Sequence, residues 1–283
     1  MRPSTGDSTM DASYCDAMAD VDRFLRAFSS ATSDFDRLGE HLWRPIGETT
    51  VARSSPQAGE RVLDLCCGNG ASAIPTARLV GPKGHVDAVD LSASLLAELD
   101  HHARDLANLR TIEADATSWP EGDYDLVQCV LGIFFFPDMT IGTDHAISRA
   151  RPGGRAAITI WREGAVEAAG RHLQGALTTV TGAQGEPRPR HLIDEINTPE
   201  ALGTWLTDRG LDGVEVTEEE LSLPMTEEIA WLVIIGSGYA GMLTDLDAED
   251  VDRVRDAYLD SLAADGVEEL DATTLIGTGT RRP

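Results

Sequence analysis

Lysine is almost absent from this chain. Lys83 is the only one among 23 basic residues, and 48 acidic residues oppose them, for a formal charge of −25. A field of that sign repels phosphate backbones and anionic lipid, which argues against nucleic acid as a substrate. Cysteine is sparse too, four in 283 residues, and Cys15, Cys66, Cys67 and Cys129 form no C-x-x-C pair or zinc-like spacing. A bridge between the adjacent Cys66 and Cys67 would be strained, so small buried thiols in a reducing compartment are expected, with no metal site. No apolar run approaches the ~18 residues that cross a bilayer. The opening stretch MRPSTGDSTMDAS lacks the apolar core of a secretory signal. A cytoplasmic protein without membrane insertion is expected. Apolar content is ordinary at 42%, so a packed core is the default rather than disorder.

What is present is an alternation of short apolar runs and helical patterns. Residues 1–58 read as a polar tail followed by a helical cap, with Met18, Val21, Phe24, Leu25 and Phe28 at helical spacing and then Leu38, Leu42, Trp43 and Ile46. Pro56-Gln57-Ala58-Gly59 breaks the chain. Strands are expected at Arg61–Cys66, His85–Asp90, Leu109–Glu113, Tyr124–Leu131 and Arg155–Trp161. Helices fall between them at Ala71–Val80, Ser92–Leu106 and Asp144–Arg149, and Arg151-Pro152-Gly153-Gly154 forms a sharp turn. Such alternation predicts a doubly wound, Rossmann-like α/β core over 59–162. Residues 163–283 add helices at Gly164–Val180 and Thr198–Asp208, a sixth strand at Gly213–Leu223 and a last strand at Thr273–Thr280, with 163–197 and 224–270 expected to form the lid. A helical insertion, 224–270, separates those two strands.

One stretch asks a chemical question. In Arg61-Val62-Leu63-Asp64-Leu65-Cys66-Cys67-Gly68-Asn69-Gly70, a strand runs into a turn of small residues and then into a helix. Backbone can approach a ligand closely there, and the helix start adds partial positive charge. Gly68-x-Gly70-x-x-Ala73 with Asp90 twenty residues after Gly70 also fits a dinucleotide fingerprint. Asp64 argues against that cofactor, because a carboxylate at the strand end repels a pyrophosphate. It suits a ligand that carries a cationic amine. It could also serve its own loop amides, and the two roles can coexist.

With these residues in view, positions ~60–161 resemble the class I S-adenosylmethionine-dependent methyltransferases, close to the ubiquinone/menaquinone-biosynthesis type. The match runs through Val62–Gly70, Val86-Asp87-Ala88-Val89-Asp90-Leu91, Glu113-Ala114-Asp115-Ala116, Asp123-Tyr124-Asp125-Leu126-Val127 and Arg151–Gly154, in family order and spacing. Phe35-Asp36 and Leu42–Gly47 resemble the N-terminal cap of bacterial relatives. The resemblance implies a seven-stranded sheet, six strands parallel and the seventh antiparallel, with S-adenosylmethionine as cofactor and S-adenosylhomocysteine as product. It implies that Asp64 lies near the methionine amine and that Cys66, Gly68, Asn69 and Gly70 line the cofactor. Asp90 accepts the ribose hydroxyls, Leu91 packs on adenine, and Asp115 and Ala116 serve its edge. Cys129 and Val130 face the methionine part. The family usually has glycine where Cys66 stands. A side chain with a Cβ predicts that this position needs no positive φ.

Methyl transfer needs a nucleophile held in line with the methyl carbon, and a base only where the nucleophile must lose a proton. A histidine pair common in relatives is replaced by Phe134 and Phe135. These rings, with Trp43, Trp161 and Tyr239, are the expected acceptor pocket, and core packing is the competing reading. Tyr239 and His191 are the leading candidates for a catalytic role, with Asp138 and His172 behind them. The expected activity is metal-independent O- or C-methylation of a small apolar or aromatic acceptor, quinone-like or a secondary-metabolite precursor. A fold that binds the cofactor without spending it, as a pericyclase-like or scaffold protein, is the alternative. A nicotinamide oxidoreductase is the third reading, and Asp64 opposes it. A homodimer through the N-terminal helices or the insertion stays open.

Overall fold

The computed structural model describes residues 32–183 and 190–283. Cys15, the helix expected from Ala17 and most of the loop before Arg190 lie outside the described residues. Helices α1 (Thr32–Gly39) and α2 (Trp43–Ser54) precede β1 (Arg61–Leu65). Then come α3 (Ala73–Val80), β2 (His85–Asp90), α4 (Ala93–His102), β3 (Leu109–Glu113), β4 (Tyr124–Val130), α5 (Met139–Arg149) and β5 (Ala150–Trp161). The remainder holds α6 (Glu167–Thr181), α7 (Ile193–Ile196), α8 (Pro199–Asp208), β6 (Leu211–Glu219), β7 (Ser222–Pro224), α9 (Glu227–Ile235), α10 (Ala248–Ala264), β8 (Glu269–Asp271) and β9 (Thr274–Arg281).

Seven strands form one sheet in the order β3-β2-β1-β4-β5-β9-β6. The neighbours from β3 through β5 pair in parallel. β9 inserts antiparallel between β5 and β6. Six parallel strands and one antiparallel strand are as expected. The order reverses between β1 and β4, and a doubly wound sheet opens its ligand crevice outside the carboxyl ends there.

β1 shows how the sequence builds the two faces. Leu63 and Leu65 are fully buried and join one apolar cluster with Val127, Ile158 and Ile160. Val62 joins the cluster on the opposite face with Ala77, Leu99 and Leu126. Alternation therefore sends Asp64 to the Val62 side, beneath α3. A third apolar cluster joins Leu38 and Leu42 of the cap to Leu173, Val233 and Tyr258 of the lid helices. Helix starts follow their capping residues. Ser92 accepts from Leu95 N–H and Thr198 from Ala201 N–H, with Pro199 opening α8.

Several boundaries differ from expectation. Helix α5 begins at Met139 rather than Asp144, because Asp138 caps it by accepting from Ile141 N–H at 2.8 Å. The sixth strand ends at Glu219, and Ser222–Pro224 instead pairs with Glu269–Asp271. That two-stranded ribbon closes the base of the 224–270 insertion. The Arg151–Gly154 turn is a bulged start of β5, with a register shift against β4. Among the described residues no helix is long and apolar enough to cross a membrane.

Candidate functional site

The carboxyl ends of β1, β2, β4 and β5 converge with the cap on one crevice. β1 ends at Leu65, and Cys66 turns the chain with φ +56°. This corrects the expectation of an ordinary backbone there. The cause is packing across to β4. A Cβ built on Gly132 would stand 2.6 Å from Cys66 Cβ and 2.7 Å from Cys129 Sγ. The Cys66 thiol is thus wedged between Cys129 and the turn after β4. Its hydrogen bond with Cys129, followed by burial, raises its pKa well above the usual thiol range. Leu131, directly after β4, also has a positive φ, +52°, and Val166, beyond β5, has +56°. Non-glycine residues with such a φ are strained.

Gly68 and Gly70 follow, with φ +53° and +94°. The positive φ of Gly70 favours glycine, and a Cβ there would also have to displace the Leu99 side-chain methyl, 2.3 Å away. The Gly68 N–H donates to Asp90 Oδ2 at 2.8 Å, and Ser92 N–H donates to Asp90 Oδ1 at 2.8 Å. Asp90 therefore ties the glycine turn to the end of β2. Burial raises its pKa, and these backbone N–H groups oppose the rise. Leu91 beside it stands 42% exposed, an unusual position for leucine and open to a flat ligand. Asp115 accepts from both the N–H and the hydroxyl of Thr117 and starts a short helical turn, while Ala116 is buried behind it.

Asp64 is fully buried. Ser72 Oγ and Gln128 Nε2 both donate to its Oδ2, at 2.7 and 2.9 Å. Its Oδ1 has no hydrogen-bond partner among the described residues. Burial pushes its pKa up to about 7, the two hydrogen bonds pull it down, and the Asp90 carboxylate adds to the rise. Ser72, Gln128 and Thr76 complete this site and carry no motif. Gln128 was visible in the sequence as the one amide in the otherwise apolar run Leu126–Leu131.

Some of the residues expected to line the acceptor pocket pack against one another. Trp43 stacks on Phe35 with centroids 5.2 Å apart and tilts against Trp161 at 6.4 Å. Phe134 and Phe135 pair at 4.7 Å, and Phe134 packs against both the sheet cluster and the lid cluster. Tyr239 lies in the lid, its hydroxyl donating to Val166 O at 3.1 Å. His191 Nδ1 accepts from Ile193 N–H at 3.2 Å. Asp138 caps α5, and His172 Nδ1 lies 2.7 Å from Ser261 Oγ between two lid helices. Each candidate base has a structural tie. Val130 and Cys129 end β4 as expected, with Cys129 fully buried. Asn69 Nδ2 donates to Asp36 Oδ1 at 3.0 Å, binding the loop to the cap.

Residues 62–154, spanning the glycine turn, Asp90, Asp115 and the end of β4, match the family described as a methyltransferase domain. That match covers about a third of the chain. Aklanonic acid methyltransferase DauC of Streptomyces sp. (strain C5) is 35% identical over 138 residues, 47% of this chain and 63% of that protein. Demethylmenaquinone methyltransferase of Geobacillus kaustophilus (strain HTA426) is 34% identical over 146 residues, 47% of this chain and 60% of that protein. The matched segment thus spans less than two thirds of either relative. In three dimensions the chain is similar to YcgJ of Bacillus subtilis, with a TM-score of 0.55 and 14% identity over 84% of this chain and 98% of that one. That likeness concerns the fold, and the matched segment runs from β1 to the start of β5.

Proposed function

We propose that this chain is an S-adenosylmethionine-dependent methyltransferase acting on a small apolar or aromatic acceptor. The observation that carries the reading is Asp64, a fully buried acid with one unpartnered oxygen near the end of the strand that runs into the two-glycine turn. An amino-acid ammonium meets that carboxyl as a counter-ion, whereas a pyrophosphate would meet it as a like charge. Asp64 would hold the methionine amine, with Cys66, Gly68, Asn69 and Gly70 against the methionine and ribose. Asp90 would hold the ribose, Leu91, Asp115 and Ala116 the adenine, and Cys129 and Val130 the methionine arm. Bound there, S-adenosylmethionine supplies an electrophilic methyl on a sulfonium.

Charge is dispersed as that methyl moves, so an apolar, water-poor pocket favours the transfer. Trp43, Phe134, Phe135 and Trp161 supply such walls. Their chemistry suits a quinone-like or secondary-metabolite precursor, methylated at carbon or at an already acidic oxygen without a metal. The quinone in the name of the Geobacillus relative is in keeping with this class. Where the acceptor needs a proton removed, Tyr239 and His191 are the candidates, after release of their present partners. The reading puts the protein in the cytoplasm, apart from nucleic acid, and sedimentation would decide whether it self-associates.

The test is turnover. The protein, incubated with S-adenosylmethionine and a panel of phenolic, quinone-like and enolic acceptors, should form S-adenosylhomocysteine together with an acceptor heavier by one methyl. Cofactor binding with no methyl consumed across the panel would favour the alternative, a fold that keeps the cofactor without spending it.

A further inference from the structure

The hydrogen bonds on Asp64 are unevenly shared, and the asymmetry is built by residues outside every cofactor motif. Ser72 Oγ and Gln128 Nε2 converge on Oδ2, and Oδ1 is left buried and unpartnered. Gln128 is itself held. Its Nε2 also donates to Thr76 Oγ1 at 3.1 Å, and its Oε1 lies 3.5 Å from Ser54 Oγ of the cap helix α2. On the next strand Thr159 meets Thr50 of α2 at 2.7 Å, so a polar seam joins the cap to the sheet beside the acid. A buried acceptor without a partner costs stability, so its retention calls for a partner that arrives later.

We infer that Gln128 and Ser72 are positioning residues for Asp64: by engaging Oδ2 they keep Oδ1 free for a cationic ligand group, whose arrival drives the Asp64 proton into solvent. This rests on the reading of the crevice as the S-adenosylmethionine site. The group titrates in the right range because burial brings it to about 7 in the free protein. An ammonium beside the carboxyl favours its charged form, so the bound state holds fewer protons than the free state. Below about pH 7 binding then releases protons, and above it the carboxyl is already ionised. Asp64 is contacted by Ser72 at the start of α3 and by Gln128 of β4, and Gln128 in turn meets Thr76 and Ser54; none of these is titratable. The titratable neighbours are Asp90 at the end of β2 and the Cys67 thiol of the loop.

The experiment is calorimetric titration with S-adenosylhomocysteine, in pairs of buffers with different ionisation enthalpies, to count protons released on binding. The wild type should release close to one proton at about pH 6 and close to none at about pH 8.5. Gln128→Leu removes a donor that stabilises the charged carboxyl, so the release should persist to higher pH, with affinity at about pH 7 weakened about tenfold. Ser72→Ala should act in the same direction and serves if Gln128→Leu does not fold. Asp64→Asn, where it still binds, should release no proton at about pH 6. Binding without proton release by the wild type would overturn the inference and leave the cofactor reading standing. So would a release profile that neither Gln128→Leu nor Ser72→Ala moves, or one that survives in Asp64→Asn and so belongs to Asp90. Absence of any binding by the folded wild type would instead overturn the cofactor reading itself.

Discussion

The Phe35 ring lies on Gly68: a Cβ built on that glycine would stand 3.5 Å from the ring's Cζ. The contact repeats one residue along each segment, where Asn69 donates to Asp36 at 3.0 Å. The cap helix is therefore fastened to the very turn that would cradle the cofactor. Asp36→Ala removes this tie and a partly exposed ion pair with Arg44. It should cost about 1 kcal/mol or less in stability, since exposed pairs contribute little. Stopped-flow displacement should show S-adenosylhomocysteine leaving several-fold faster; an unchanged rate would mean the cap does not gate the site.

Cys66 and Gly132 interlock at the ends of two neighbouring strands. Gly132→Ala would drive a methyl to within 2.6 Å of Cys66 Cβ and 2.7 Å of Cys129 Sγ. Overpacking of this kind costs about 1–3 kcal/mol. Cys66→Gly frees the left-handed position of roughly 1 kcal/mol of strain and loses thiol packing, so it should be near neutral alone. Combined with Gly132→Ala it should recover part of the loss, because Cys129 still obstructs the new methyl. Thermal melts of the two single variants and the double variant test this, and strict additivity would contradict it.

Stability should depend on pH through Asp64. Its folded pKa, about 7, lies above the ordinary 3.8, so the folded chain holds this proton more tightly than the unfolded one. The contribution is fully present at pH below the unfolded value and is lost as pH rises through the folded value. Relative to Asp64→Asn, the ligand-free wild type should lose roughly 4 kcal/mol across that window. Denaturant melts of both proteins at about pH 5 and about pH 8 measure most of the difference. Parallel pH profiles would contradict the account.

The parallel sheet was legible because each strand is a short apolar run closed by a turn, and Val62–Gly70 announced the site. The β7–β8 ribbon was not legible. Ser222 and Leu223 read as the end of the sixth strand, Glu269-Leu270-Asp271 carries no strand pattern, and only the return of the chain after α10 pairs the two segments. The Cys66 backbone was misread because a local rule about Cβ atoms yields to packing against Cys129 and Gly132. Gln128 could be singled out as an amide in an apolar strand. Its partner Asp64 lies 64 residues away, and only the placement of β4 beside β1 joins them. Helix α5 starts five residues before the expected Asp144 because Asp138 caps it.

Tyr239 ties the 224–270 insertion to a strained backbone position. Its hydroxyl donates to the carbonyl of Val166, whose own φ is +56°. Tyr239→Phe should cost about 1 kcal/mol, the usual net worth of such a bond. If the phenol serves only this tie, methyl transfer should change by less than about threefold. A loss of about a hundredfold or more would make Tyr239 a proton-transfer group. His191→Ala, tested beside it, separates the two candidates.

The central claim is that the crevice over Asp64 and Asp90 is an S-adenosylmethionine site. Its most direct measurement is the affinity of the intact protein for S-adenosylhomocysteine, wild type against Asp90→Ala, with folding of both checked by circular dichroism. The account predicts one micromolar site in the wild type, lost in the variant along with the acceptor of the Gly68 and Ser92 N–H groups. No binding by the folded wild type, or equal binding by both proteins, would contradict it.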